Sequence, residues 1–111
     1  MELVTEKSGD LLRVTVQESR IDAASAIQFK ERMREVTETS SGRVLLDLSQ
    51  VLFLDSSGLG AVVAVRKHLG EDRPLDLAGL TPAVQKVFRL TRMDTIFTIL
   101  PGPVDGLRDA V

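Results

Sequence analysis

The chain contains no cysteine, and this absence excludes disulfides, thiolate metal sites and cysteine nucleophiles. A protein without disulfides suits a reducing compartment. Long apolar runs are also missing, since the longest in a predicted helix is residues 59–65, far short of the roughly 20 residues that span a bilayer. The first residues include acidic side chains and lack the apolar core of a signal peptide. We therefore expect a cytoplasmic protein with no membrane partner.

An excess of charge of one sign is lacking too. The 14 basic and 16 acidic residues give a formal net charge of -2, which argues against a protein built to coat nucleic acid. The 111 residues fit one domain, and 43% hydrophobic residues can build a sizeable core. We expect a single domain over residues 1–111, with a core at about 2–100 and a short C-terminal tail at 101–111.

The hydrophobic pattern predicts strands that alternate with helices. Leu12, Val14 and Val16 alternate with polar residues, which is typical of a strand with one wet face. The compact run 44–46 is typical of a strand that is buried on both faces. The predicted strands are residues 2–7, 12–16, 44–46, 74–77 and 94–100.

Three helices are predicted between these strands. The first starts at a cap, Asp22, and runs to about Glu38 with Ala26, Phe29, Met33 and Val36 on one stripe. The second follows Asp55 and ends before Gly70, and the third starts at Thr81 and Pro82. The order β-β-α-β-α-β-α-β predicts an α/β fold with a mixed five-stranded sheet and three main helices.

One stretch presents polar groups at the start of a helix. An apolar segment, residues 51–54, leads to Asp55, Ser56, Ser57 and Gly58, and apolar residues follow. A carboxylate and two hydroxyls therefore lie where backbone N–H groups lack partners and the helix dipole is positive. If the chain has a chemical site, we expect it at this turn.

Enzymatic chemistry has little support at this turn. It lacks the Gly-x-Ser-x-Gly pattern of a hydrolase. The only histidine, His68, lies about 16 Å along the helix from Ser57, too far to be its base, and is expected to face solvent. Gly58 and Gly60 begin a dinucleotide fingerprint, but Val63 stands at the third glycine position and no Walker-type lysine follows.

A metal site would need carboxylates such as Asp22, Asp47 and Asp55, and nothing in their spacing demands one. Two interpretations of the turn stay open. Its polar residues can be plain caps, or a serine can be presented as a substrate for phosphorylation, since a helix N-terminus tolerates the added anion.

The run from Val44 to Gly60 resembles the signature of STAS domains, specifically anti-sigma factor antagonists, also called anti-anti-sigma factors. The likeness extends to about residue 100, and residues 55–60 are its most specific part. The resemblance implies that Ser57, the second serine of the motif, is phosphorylated by a partner kinase. It also implies that Asp55 and Asp22 are site residues.

The same resemblance gives the surroundings of the phosphosite. Ser56, Gly58 and Leu59 complete the motif around Ser57. The segment before Asp22 commonly reads Gly-x-Leu-Asp in the family, and here Arg20 replaces the glycine and Ile21 the leucine.

The function implied by the resemblance is partner switching. The unphosphorylated form would bind an anti-sigma factor that is also a serine kinase, releasing a sigma factor for transcription. Phosphorylation of Ser57 would end binding until a phosphatase removes the phosphate. ATP and magnesium would belong to the kinase, so we expect no cofactor and no catalysis in this chain. A scaffold or transport-associated STAS module without phospho-switching, and a small serine hydrolase or nucleotide-binding enzyme, are the alternatives.

Overall fold

A computed structural model describes residues 1–101 of the chain. The predicted tail at 101–111 lies outside the described residues, apart from Pro101. In chain order the elements are β1 (Leu3–Ser8), β2 (Leu11–Val16), β3 (Arg20–Ile21), α1 (Ala26–Thr37), β4 (Arg43–Asp47), β5 (Phe53–Leu54), α2 (Ser56–Leu69), β6 (Leu75–Ala78), α3 (Pro82–Leu90), a 3₁₀ turn (Met93–Thr95) and β7 (Thr98–Leu100).

The main sheet has five strands in the order β1-β2-β4-β6-β7. Strands β1 and β2 form an antiparallel hairpin, and the other neighbours are parallel. The hairpin turn contains Gly9 with a φ of 62°, a left-handed conformation that glycine adopts without a steric penalty. The predicted mixed five-stranded sheet with three main helices is confirmed.

The main core lies between this sheet and the helices. Leu12, Val14 and Val16 of β2 share one hydrophobic cluster with side chains from all three helices. The buried helical members include Phe29, Met33, Val62, Val65, Val84 and Phe88. The opposite face carries a smaller cluster of Leu11, Leu45 and Ala78. Because β4 contributes to both clusters, residues 44–46 are buried on both faces, as predicted.

Helix α1 begins later than predicted. It starts at Ala26, because the residues that follow Asp22 form a separate turn. The carbonyl of Asp22 accepts hydrogen bonds from the N–H groups of Ser25 and Ala26. Its carboxylate accepts from the Ala24 N–H at 3.1 Å and the Ser25 hydroxyl at 3.2 Å. Asp22 thus caps the turn and not the helix, since such local bonds offer the backbone an alternative to helix.

Two short strands outside the main sheet were not predicted. Strands β3 and β5 pair in parallel, with Arg20 opposite Phe53 and Ile21 opposite Leu54. Two residues are too few to show a period of two in a sequence. This small sheet matters for function, because β3 leads into Asp22 and β5 leads into Asp55.

The last strand is shorter than the predicted 94–100. The N–H groups of Ile96 and Phe97 both bond to the carbonyl of Met93, which continues the 3₁₀ turn and leaves only Thr98–Leu100 as strand. Phe97 then packs edge-on against Phe88, with ring centroids 5.7 Å apart. An aromatic contact with α3 therefore replaces part of the expected strand.

Candidate functional site

The Asp55 carboxylate caps helix α2. Its backbone is extended, with φ -93° and ψ -174°, and its Oδ1 accepts the N–H of Gly58 at 2.8 Å. The first N–H groups of a helix have no partner within it, so this bond satisfies one of them. The cap of the helix is therefore Asp55 and not Ser57.

The second oxygen of Asp55 joins α2 to the turn before α1. Oδ2 accepts the N–H of Ala23 at 3.2 Å. One carboxylate therefore connects the two loops that leave the small sheet. The turn that follows Asp22 thus contacts Asp55, and the parallel pairing of β3 with β5 brings the two segments together.

Both serine hydroxyls are presented to solvent. Ser56 and Ser57 are the first and second residues of α2 and are exposed. Within residues 1–101, neither hydroxyl takes part in a hydrogen bond. A phosphate added here would lie at the positive end of the helix dipole, where anions are tolerated.

Gly58 allows the first turn of α2 to contact β3 directly. A Cβ at this position would overlap the carbonyl oxygen of Ile21 and lie 2.8 Å from both its carbonyl carbon and the Leu54 Cδ1. A Cβ at Gly60 would meet nothing within 4 Å. Packing therefore requires the first glycine of the motif and not the second.

Leu59, which completes the motif around Ser57, is a core residue. It is only 9% exposed and belongs to the main core cluster. The helical period turns this side chain toward the core, so Leu59 anchors the start of α2.

Arg20 forms contacts that the sequence did not reveal. Its Nε donates to Asp22 Oδ2 at 3.1 Å, and its guanidinium carbon lies 4.4 Å from the centroid of the Phe53 ring. The hydrogen bond from Arg20 holds the pKa of Asp22 below its usual value against the opposing effect of burial, and bonds from Ser25 and Ala24 lower it further. Phe53 was not a candidate, because only the β3–β5 pairing places it opposite Arg20.

The other candidate residues lie elsewhere. Asp47 is buried on the opposite face of the main sheet, where it accepts from Arg13 at 3.1 Å and Thr15 at 3.3 Å. His68 is exposed near the end of α2, as predicted. Among residues 1–101, no group of three or more His, Asp or Glu side chains is placed to hold a metal ion. In that same range no helix is long and apolar enough to cross a membrane.

The chain matches a known family. A family model described as "Mlab, STAS domain" matches residues 4–101. The chain belongs to the STAS domain family. The predicted resemblance is thereby confirmed.

Relatives of this STAS domain include regulatory proteins. It is 30% identical to a STAS-domain containing protein of Pseudomonas aeruginosa, over 89% of this chain and 99% of the relative. It is 34% identical to an anti-sigma-B factor antagonist of Listeria monocytogenes, over 93% of this chain and 92% of the relative. The crystal structure of an anti-sigma factor antagonist from Mycobacterium paratuberculosis has a TM-score of 0.81 at 26% identity, covering 97% and 92% of the two chains.

The glycine contacts predict opposite effects for two similar substitutions. Gly58→Ala should lower the free energy of unfolding by about 1–3 kcal/mol, because the new methyl group meets backbone. Gly60→Ala should raise it by up to about 1 kcal/mol, because alanine favours helix and the space is open. Urea unfolding followed by circular dichroism measures both values. Equal stabilities for the two variants would contradict the close approach of α2 to β3.

Because Asp55 accepts two hydrogen bonds, we expect its alanine and asparagine variants to lose different amounts of stability. Asp55→Ala should lower the free energy of unfolding by about 1–2 kcal/mol, because the cap and the Ala23 contact are both lost. Asp55→Asn should cost less than half as much, because its single carbonyl oxygen can keep one bond. Amide hydrogen exchange at Gly58 and Ala23 would show which bond remains. An asparagine variant as unstable as the alanine variant would mean that the cap is not the main contribution.

Proposed function

We propose that this STAS domain is an anti-sigma factor antagonist that is switched by phosphorylation of Ser57. The observation that carries the proposal is an exposed serine hydroxyl at the second residue of α2, next to a helix cap that Asp55 alone provides. The hydroxyl can therefore be modified without the loss of a structural bond. The names of the Listeria and Mycobacterium relatives support the antagonist role.

In this proposal the unphosphorylated form binds an anti-sigma factor that is also a serine kinase, and the sigma factor is released. The Ser57 oxygen then attacks the γ-phosphorus of ATP, the bond to the bridging oxygen breaks, ADP leaves and the hydroxyl proton passes to a base of the kinase. ATP and magnesium belong to the kinase, so this chain supplies only the nucleophilic oxygen. A phosphatase later hydrolyses the phosphoserine and restores binding.

The choice between the two serines rests on the family motif. Ser56 and Ser57 are both exposed, so accessibility does not separate them. The STAS motif assigns phosphorylation to its second serine, which is Ser57 in this chain.

Phosphorylation should change the surface and leave the fold intact. The phosphate adds about -1.5 to -2 charges, and the helix N-terminus offsets part of this by about 0.3–1 kcal/mol. A partner packed against the hydroxyl would meet three bulky oxygens and a new negative charge. Steric overlap and repulsion from acidic partner groups would then release it.

Phosphorylation by the anti-sigma factor kinase should place one phosphate on Ser57. Intact-mass measurement gives the number of phosphates, and peptide mapping gives the position. Ser57→Ala should abolish labelling and change the free energy of unfolding by no more than about 0.5 kcal/mol, because its hydroxyl makes no bond. Ser56→Ala is the matched control and should still be labelled. Full labelling of Ser56 with Ser57 untouched would overturn the assignment.

Ser57→Asp should weaken binding of that kinase at least tenfold, or about 1.4 kcal/mol. The reason is the added negative charge at the packed contact. Titration calorimetry measures the affinity, and circular dichroism checks that the variant is folded. Ser41→Asp adds the same charge to an exposed serine just before β4 and should have little effect. Equal affinities for the wild-type and Ser57→Asp chains would favour a scaffold role without a switch.

A further inference from the structure

We propose that Arg20, stacked on Phe53 beside Leu52, forms a cationic and apolar surface next to Ser57 that selects a partner with an acidic side chain beside an apolar one. We call these three residues the Arg20 surface. This inference rests on the proposed function, because the partner is the kinase that phosphorylates Ser57. It adds the chemistry by which this chain would recognise that kinase.

The carboxylates of the site are already engaged within the chain. Both oxygens of Asp55 accept backbone N–H groups. Asp22 accepts from Arg20 through Oδ2 and from Ala24 and Ser25 through Oδ1. A cation on the partner would therefore compete with bonds that the chain satisfies for itself. The negative charge of Asp22 is also balanced by Arg20.

The cation of the pair is the more accessible member. The Arg20 side chain is 59% exposed, whereas that of Asp22 is 22% exposed. A guanidinium has five N–H donors, and Arg20 uses only its Nε toward the described residues. Its terminal nitrogens can therefore donate to a partner, and a carboxylate is the acceptor that matches a guanidinium in charge and geometry.

The apolar members are Phe53 of β5 and Leu52, which directly precedes that strand. Leu52 is 63% exposed and Phe53 is 42% exposed, and the Phe53 ring supports the guanidinium. A stacked arginine is already ordered, so it loses little side-chain entropy when it binds. Aromatic residues and arginine are enriched at protein interfaces. The combination therefore favours a protein partner with a matching acidic and apolar patch.

The Arg20 surface is close to the phosphosite along the chain. Only Leu54 separates Phe53 from the helix cap, and Ser57 is two residues beyond that cap. A protein interface buries about 800 Å² on each partner. A kinase that packs on Ser57 would cover the Arg20 surface as well.

The direction in which one substitution changes the affinity distinguishes an acidic partner group at Arg20 from a basic partner group at Asp22. Arg20→Met keeps an apolar stem on the Phe53 ring and removes the charge. If a partner acid contacts Arg20, the affinity of the kinase should fall by about fivefold or more. If a partner cation contacts Asp22, the same substitution should raise the affinity, because Asp22 loses its internal counter-charge. The affinity measured by titration calorimetry therefore decides between them.

The chain offers a matched control for this substitution. Arg43 is 47% exposed and pairs with Asp76 at 3.1 Å. It is the first residue of β4, and the site lies beyond the other end of that strand. Arg43→Met should leave the affinity within about twofold. The affinity of the wild-type chain should fall as salt is added, and that of Arg20→Met should depend less on salt. Phe53→Ala should weaken binding as well, since it removes the support of the guanidinium.

The outcomes distinguish failure of this surface from failure of the proposed switch. A loss of affinity with Arg20→Met but not with Arg43→Met supports the Arg20 surface. An unchanged or higher affinity with Arg20→Met overturns it, and leaves the switch in place if Ser57→Asp still weakens binding. A loss with Arg20→Met and none with Ser57→Asp supports the surface and overturns the switch. An equal loss with both arginine variants overturns the surface, because net charge alone would then explain it.

Discussion

The first turn of α2 rests directly on the backbone of β3, and the site depends on this contact. The contact leaves no room for a side chain at Gly58, because an added Cβ would overlap the Ile21 carbonyl oxygen. The contact fixes the helix start against the small sheet, and the Asp55 carboxylate then reaches both its own helix and the neighbouring turn at Ala23. Ser57 therefore lies on a helix turn that is capped by Asp55 and packed against β3.

The polar side chains of the site differ in whether they make hydrogen bonds within the chain. Asp55 is used for structure, since both its oxygens accept N–H groups. Asp22 organises a turn and pairs with Arg20. Of the carboxylates and hydroxyls in this site, only the hydroxyls of Ser56 and Ser57 take no part in a hydrogen bond with residues 1–101. A modification of Ser57 would therefore change the charge and shape of the surface without breaking a structural bond.

The main sheet and its core support the small β3–β5 sheet and the start of α2. Strand β4 is buried on both faces, and one cluster unites β2 with all three helices. The candidate site lies beyond the carboxyl ends of β2 and β4, where the chain forms the small β3–β5 sheet. Loops at this end of parallel strands commonly carry function, because the sheet positions them.

The sequence predicts the elements that carry a compact apolar run or a regular apolar spacing. These are the strands of the main sheet and the three helices, because burial requires apolar side chains in such runs or spacings. The polar residues at Asp55 predict where the second helix begins. Contacts between short segments, in contrast, follow from the three-dimensional packing of the chain. Strands β3 and β5 have two residues each, so no pattern predicts their pairing or the stacking of Arg20 on Phe53. The same holds for Asp22, because local hydrogen bonds in a turn compete with the helix that a capping residue predicts.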